Sequence, residues 1–282
     1  MRPLPKEFVQ LTLLSCASLG MALPAIAQKP PQEQVAQMEK ITRDISAGEN
    51  ISFDHSVEII GSIGPRARVL VNSGGIRIEG DVGDHATIEA RGGGGGAVVT
   101  IHESNVSTNS YTSIVVNNGE VTVNGKRINT GTAEKDIAGI EIKGAVSRHA
   151  TLQTNASIVV GGDVEASSRL KADGSINIGG KVAEGATLAS GGSITAQNIG
   201  DDTQADAGGS IQGLNVGKHA TLVAGGSIRV RDVSAGAKLD AGGSVVADKI
   251  ISGAKIDAGG SITAESARLE DLSAGGAVHI QE

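Results

Sequence analysis

The chain has 282 residues and a formal charge of −7, with 41 Gly, no Trp, and aromatic residues limited to Phe8, Phe53 and Tyr111. So few rings exclude an ordinary globular core of this length, which draws much of its buried area from aromatics. The acidic balance leaves no electrostatic footprint for nucleic acid or an anionic membrane, and what remains is a narrow interior filled with Val, Ile, Leu and Ala.

Residues 1–27 read as a secretory signal. Arg2 and Lys6 form a basic start, Phe8 to Leu23 is largely apolar, and Ala25-Ile26-Ala27 is a small-x-small cleavage site. The expected mature chain begins at Gln28 and is secreted, to the periplasm or the exterior. It has no transmembrane segment, because Pro24 and the polar run after Gln28 end the apolar stretch. The alternative is a lipoprotein anchored through Cys16 in Leu13-Leu14-Ser15-Cys16. Cleavage after Ala27 removes the only cysteine, and with it any disulfide or thiol chemistry.

Residues 28–50 read as a linker and a capping helix. The Pro-rich run from Gln28 to Gln34 is the linker. Val35, Met38, Ile41 and Ile45 then recur at steps of 3, 3 and 4, which predicts an amphipathic helix over Gln32 to Ile45. Such a helix would cover the open end of the repeats that follow; the alternative is a free, partly ordered arm.

The first repeats occupy 51–96. Val57 to Gly74 forms one irregular coil, and Gly75 to Gly92 a regular one with Ile76, Ile78, Val82, Ala86, Ile88 and Ala90 pointing inward. Gly92 to Gly96 is a flexible hinge. Residues 97–138 differ in character and read as a β-hairpin insert. Val98 to Ile101, Ser113 to Val116, Glu120 to Val123 and Arg127 to Ile128 alternate as strands, with Asn118-Gly119 and Asn124-Gly125 as type I′ turns.

The main array runs over 139–282. A Gly-Gly-Ser-Ile element, or its equivalent, places serines at Ser157, Ser175, Ser193, Ser210, Ser227, Ser244 and Ser261, in steps of 18, 18, 17, 17, 17 and 17 residues. Three aliphatic columns follow. One is Ile158, Ile176, Ile194, Ile211, Ile228, Val245 and Ile262; the next is Val146, Val164, Val182, Ile199, Val216, Val233 and Ile250; the third is Leu152, Leu170, Leu188, Ala205, Leu222, Leu239 and Ile256. Columns six residues apart describe a three-sided, single-stranded parallel β-helix, an all-β solenoid of 17–18 residues per coil. About ten coils at the strand spacing of ~4.8 Å give a rod of about 50 Å. The glycines are expected to supply positive φ at the corners.

The pattern Ala-Gly-Gly-Ser-Ile-Thr-Ala, with Val-x-x-Gly-Ala-Thr-Leu and this period, resembles the bactofilin-type polymer-forming proteins and the β-helical repeats of the flagellar assembly protein A family. The resemblance covers roughly residues 56–92 and 139–282 and implies right-handed solenoids that associate end to end into scaffolds. A second similarity is to the haemagglutinin-type repeats of filamentous adhesins.

Several residues are candidates for chemistry. His85, His149 and His219 share one slot in Gly-Asp-His-Ala-Thr, Ser-Arg-His-Ala-Thr and Gly-Lys-His-Ala-Thr. A metal or acyl-transfer site is one reading. The slot elsewhere holds Arg66, Gly185, Asp202, Gly236 and Gly253, which favours an exposed corner. On a coil count His149 and His219 stand four coils apart, about 19 Å, too far to share a metal. The serine column lacks a recurring His and carboxylate partner, so it reads as a ladder bonding the adjacent turn backbone. Thr87, Thr151, Thr187 and Thr221 form a column that Arg169, Gln204, Lys238 and Lys255 interrupt. Asp163, Asp173, Asp201, Asp202, Asp206, Asp232, Asp240 and Asp257 recur without the calcium-binding nonapeptide.

No residue is therefore assigned a catalytic, cofactor-binding or metal-binding role, and no cofactor is expected. The expected function is a secreted, non-catalytic scaffold of the cell envelope. It would self-associate through the C-terminal coil, where Ala277 to Ile280 continues the strand pattern, or engage an envelope protein or glycan. The alternatives are an adhesin or glycan-binding β-helix using the 97–136 insert, with Tyr111 and the tip from Ser104 to Ser113, and a hexapeptide-like or polysaccharide-active enzyme.

Overall fold

The computed structural model describes residues 38–91, the strands at 114–117, 120–123 and 126–128, and residues 139–268 and 271–281. Each repeat folds into short strands that turn alternate side chains inward. In Arg169–Ala172, Leu170 and Ala172 are buried while Arg169 and Lys171 face solvent. A strand two to four residues long cannot close its own backbone hydrogen bonds, so each pairs in parallel with its counterparts in the windings before and after.

The result is a three-walled β-solenoid. Wall A is most of a 15-stranded sheet, and wall B is an 11-stranded sheet. Wall C begins as single bridges linking Ile45, Ile63, Val82, Val146, Val164, Val182 and Ile199. It continues as the two-residue strands Asn198–Ile199, Asn215–Val216 and Asp232–Val233. The three columns read from the sequence are these walls. Ile194 stands in register with Ile211, and Ile211 with Ile228, on wall A. Leu152 stands over Leu170 and Leu170 over Leu188 on wall B. One apolar core runs from Ile45 to Ala264, with Phe53 its only aromatic residue.

The change of period from 18 to 17 has a location. Ile176 and Val182 are six residues apart, whereas Ile194 and Ile199 are five apart, so the lost residue lies at the corner between walls A and C. The sharper corner lets wall C form strands, and Val245–Ile250 crosses it as one.

Two positions of an otherwise alanine-lined column are polar, Ser168 and Thr203, and both are buried. The Ser168 hydroxyl donates to the Ser147 carbonyl (2.9 Å) and the Thr203 hydroxyl to that of Ala183 (3.2 Å). Reaching a free carbonyl of the preceding winding makes a buried hydroxyl tolerable.

The glycines of the Gly-Ala step, Gly185, Gly236 and Gly253, supply positive φ at a corner as expected, whereas the paired glycines of the main array do not. None of the Gly-Gly-Ser pairs from Gly191 onward has a left-handed backbone. They are required by close approach between windings. A Cβ on Gly192 would lie 2.5 Å from the Ser175 hydroxyl oxygen, and one on Gly209 2.6 Å from that of Ser193. Apart from Gly74 and Gly139, which stand at the entry to wall A strands, the left-handed positions form a different column, one per winding: Gly48, Arg66, His85, His149, Ser167, Gly185, Asp202, His219, Gly236 and Gly253.

The expected helix is also corrected. Residues 32–37 lie outside the described residues, but Glu39–Ile41 is a strand paired with Val57–Ile59, and Ile45 bridges to Ile63. The solenoid thus reaches back at least to residue 39, beyond the start expected near Ile51. The step of four from Ile41 to Ile45 is the step across the corner between walls A and C, the same as Ile59 to Ile63 and Ile78 to Val82. A three-sided winding reproduces a helical interval wherever two inward residues flank a corner. No helix among the described residues is long and apolar enough to cross a membrane.

The insert contains an antiparallel meander. Ile114–Asn117 pairs with Glu120–Val123, which pairs with Lys126–Ile128, each connected by two residues as the Asn-Gly signals require. The expected strand Val98 to Ile101, the turn residues themselves, and the tip from Ser104 to Ser113 with Tyr111 lie outside the described residues. The signal reading of 1–27 and Cys16 lies outside them as well.

Candidate functional site at the insertion junction

The strand Thr87–Ala90 ends at the corner where the insert leaves, and the chain re-enters the solenoid at Gly139–Ile142. The windings on either side of this excursion are direct neighbours. Ile76 pairs with Ile140 on wall A, Ile88 with Leu152 on wall B, and Val82 with Val146 on wall C. The hydrophobic columns explain this continuity, because a skipped winding would leave aliphatic side chains and two strand edges exposed.

Polar side chains cross the same junction. On the outer side of wall A, Lys40, Glu58, Arg77 and Glu141 stack with alternating sign. Lys40 Nζ lies 3.0 Å from Glu58, Arg77 Nη1 3.8 Å from Glu58, and Arg77 Nη2 2.9 Å from Glu141. The Arg77 side chain retains only 16% exposure, so this ladder is better shielded from water than an ordinary surface pair. Lys143 meets Glu79 at 2.7 Å, and the Ala145 amide donates to Asp81 Oδ1 at 2.7 Å. None of these partners was evident from the sequence, because 64 residues separate Arg77 from Glu141 and Lys143 from Glu79.

The histidine slot is an exposed corner with a left-handed backbone, φ 56° at His85 and 57° at His149. The excursion brings these two into adjacent windings, with ring centroids 4.8 Å apart and planes tilted by 37°. Spacing along the sequence hid this contact. His219, at φ 54°, stands apart, its ring occupying the space that a side chain on Gly236 would need. The one described histidine bonded to a carboxylate is a different one, His55, whose Nε2 is 3.0 Å from Glu39. Among the described residues no three His, Cys, Asp or Glu side chains converge as a metal-holding group. The junction therefore presents two imidazoles side by side on the corner between walls C and B, and a partly shielded charge ladder on the outer face of wall A.

The serine column is a hydrogen-bonded ladder. The Ser157 hydroxyl oxygen accepts the Ser175 amide at 3.0 Å, and Ser175, Ser193, Ser210, Ser227 and Ser244 each accept the amide of the next serine at 3.1 Å. The hydroxyl oxygens are thereby committed to holding one winding to the next. Several of the aspartates serve the same end. Asp163 Oδ1 accepts the Lys181 amide at 2.8 Å and Asp201 Oδ1 the Lys218 amide at 2.7 Å, while Asp202 occupies the left-handed slot. The aspartate spacing carried a signal for this role, since each precedes its amide by one period of 18 or 17 residues. Thr87, Thr151, Thr187 and Thr221 share an outward column of wall B with Arg169, Gln204, Lys238 and Lys255.

One exposed cluster is electrostatically distinct. Arg43 clamps Glu49 with two bonds, Nη1 to Oε2 at 2.9 Å and Nη2 to Oε1 at 2.6 Å, while the Ser46 amide donates to Oε2 at 2.8 Å. These donors, the guanidinium first, hold the Glu49 carboxyl down to about 2. The cluster closes the first corner of the solenoid and touches no other candidate residue.

No protein-family model matches the chain, and neither the curated proteins nor the solved structures contain a match.

Proposed function

We propose that this is a secreted structural protein of the cell envelope, a rigid scaffold that works by associating with further copies of itself and not by catalysis. The sequence resemblance to polymer-forming solenoids favours this reading, and the segment 1–27 would direct export. The observation that carries it is the last described winding. Strands Leu272–Ala274 and Val278–Ile280 pair with Lys255–Ala258 and Ile262–Ser266 on one side and with no strand on the other among the described residues. Leu272, Ala274, Val278 and Ile280 are only half-buried, unlike their counterparts Ile256, Ala258, Ile262 and Ala264. Two unpaired parallel edges over half-covered aliphatic residues form a template that an added winding completes.

The test is light scattering of the exported chain with and without Ile280→Lys. At an ionic strength that screens exposed charges, the expected result is an assembly whose mass falls to that of a monomer in the variant. A monomeric parent, or an assembly indifferent to the lysine, overturns the reading.

Display of the insert is a second reading, supported by the uninterrupted register at the junction. Replacing residues 92–138 with a short Gly-Ser linker should leave the far-UV β spectrum and the melting transition in place. The same deletion should abolish binding to immobilised envelope glycans. Collapse of the solenoid spectrum, or glycan binding that survives the deletion, would count against display.

A further inference from the structure

Wall B carries two outward columns, the first and third residues of each four-residue strand. Near its C-terminal end these columns hold like charges in register. Lys238 stands directly over Lys255, and Asp240 directly over Asp257. All four are exposed, and none forms an ion pair with another described residue. Like charges facing each other on neighbouring strands, about 4.8 Å apart, destabilise a sheet. The sequence Lys-x-Asp thus produces a basic stripe and an acidic stripe side by side, about 6.6 Å apart, with no ion pair between them among the described residues.

This pattern is complementary to itself under one symmetry operation. A two-fold axis parallel to the solenoid axis exchanges the two columns, so each lysine stripe lies over the aspartate stripe of a second copy. A two-fold axis running across the wall keeps each column on its own side and sets lysine against lysine. Neighbouring windings obey the same rule. The exchange sets Gln204 against Asp206, Thr221 against Val223, and Thr187 against Ala189. Val223 is one of the few large apolar residues left exposed, at 39%. Arg169 and Lys171 are both basic and set like charge against like, which bounds the favourable contact on its N-terminal side. The five strands from Thr187–Ser190 to Lys255–Ala258 span about 24 Å by about 13 Å, so the favourable stretch offers about 300 Å² per copy, the area of a weak contact.

We infer that wall B is a docking surface for a second copy of this chain, the two solenoids lying side by side and parallel. This contact is lateral and does not depend on the terminal winding. It would let end-to-end assemblies bundle, because a weak contact repeated along two rods becomes strong through multivalency.

The experiment uses the full exported chain carrying Ile280→Lys, so that end contacts do not contribute, and follows mass by sedimentation equilibrium. The parent is expected to dimerise at low ionic strength and dissociate as salt is added, because the contact is made of exposed charges. The pair Lys238→Asp and Lys255→Asp, which makes the stripes wholly acidic, should weaken the dimer by about tenfold or more, and so should Asp240→Lys with Asp257→Lys. Mixing the two variants should give a one-to-one heterodimer. The fourfold exchange of lysines and aspartates should restore the homodimer. A monomeric parent, charge variants that dimerise as well as the parent, or a mixture that stays monomeric would each overturn the inference. Circular dichroism confirms that the exposed substitutions leave the fold intact.

Discussion

Replacing Gly226 with alanine should cost stability in proportion to how tightly two windings meet. A Cβ at this position would lie 2.6 Å from the Ser210 hydroxyl oxygen and 3.1 Å from the Gly209 carbonyl oxygen. The Ser210 hydroxyl cannot simply turn away, because it accepts the Ser227 amide at 3.1 Å. The backbone cannot simply retreat, because the Gly226 amide donates to Gly209 at 2.8 Å. An unmade hydrogen bond costs about 1–3 kcal/mol and an overpacked contact about 1–3 kcal/mol, so Gly226→Ala should lose about 2–4 kcal/mol. Ser210→Ala alone should lose about 1 kcal/mol. The double variant should recover about 1–2 kcal/mol of coupling, since the obstructing oxygen is gone. Gly213→Ala is the control. Its nearest neighbour would be the Ala196 carbonyl oxygen at 3.5 Å and its backbone is not left-handed, so it should be neutral or up to about 1 kcal/mol stabilising. Urea unfolding followed by far-UV circular dichroism reads these values if the slope is unchanged. Exchange protection of the Ser227 amide reports the local effect. Equal losses at Gly213 and Gly226, or strict additivity of Gly226→Ala and Ser210→Ala, would refute the close-approach account of the glycine pairs.

The clamp on Glu49 should show in its titration. Its folded value of about 2 lies below the ordinary carboxylate range, so its contribution to stability is present above that range and is lost as pH falls toward 2. Carboxyl NMR shifts should move Glu49 back to an ordinary titration in Arg43→Ala, and no change would refute the clamp. Leu222→Ala should destabilise by about 3–5 kcal/mol in thermal or urea unfolding, because Leu222 is fully buried and its neighbour in the preceding winding, Ala205, is too small to fill the space. A loss below about 1 kcal/mol would mean that the core collapses onto the cavity.

The sequence by itself determined the winding. Aliphatic residues in three columns, small residues at the corners and a period of 17–18 allow few structures other than stacked parallel coils, because each short strand satisfies its backbone only through its neighbours. The serine ladder was legible for the same reason, as was the hairpin character of the insert from its Asn-Gly pairs. Only the tertiary structure decided which winding touches which. The meeting of His85 with His149, and of Arg77 with Glu141, depends on the chain leaving at residue 91 and returning at 139 onto the same edge, a contact no local spacing encodes. The helix expected at Gln32 to Ile45 failed because a corner between two walls and a helical turn place apolar residues at the same interval of four. Local periodicity cannot tell them apart; pairing with the next winding does. The glycines carry the same ambiguity, since a missing side chain looks the same in sequence whether it frees the backbone, as at Gly185 and Gly236, or makes room for a hydroxyl from the neighbouring winding, as at Gly192 and Gly209.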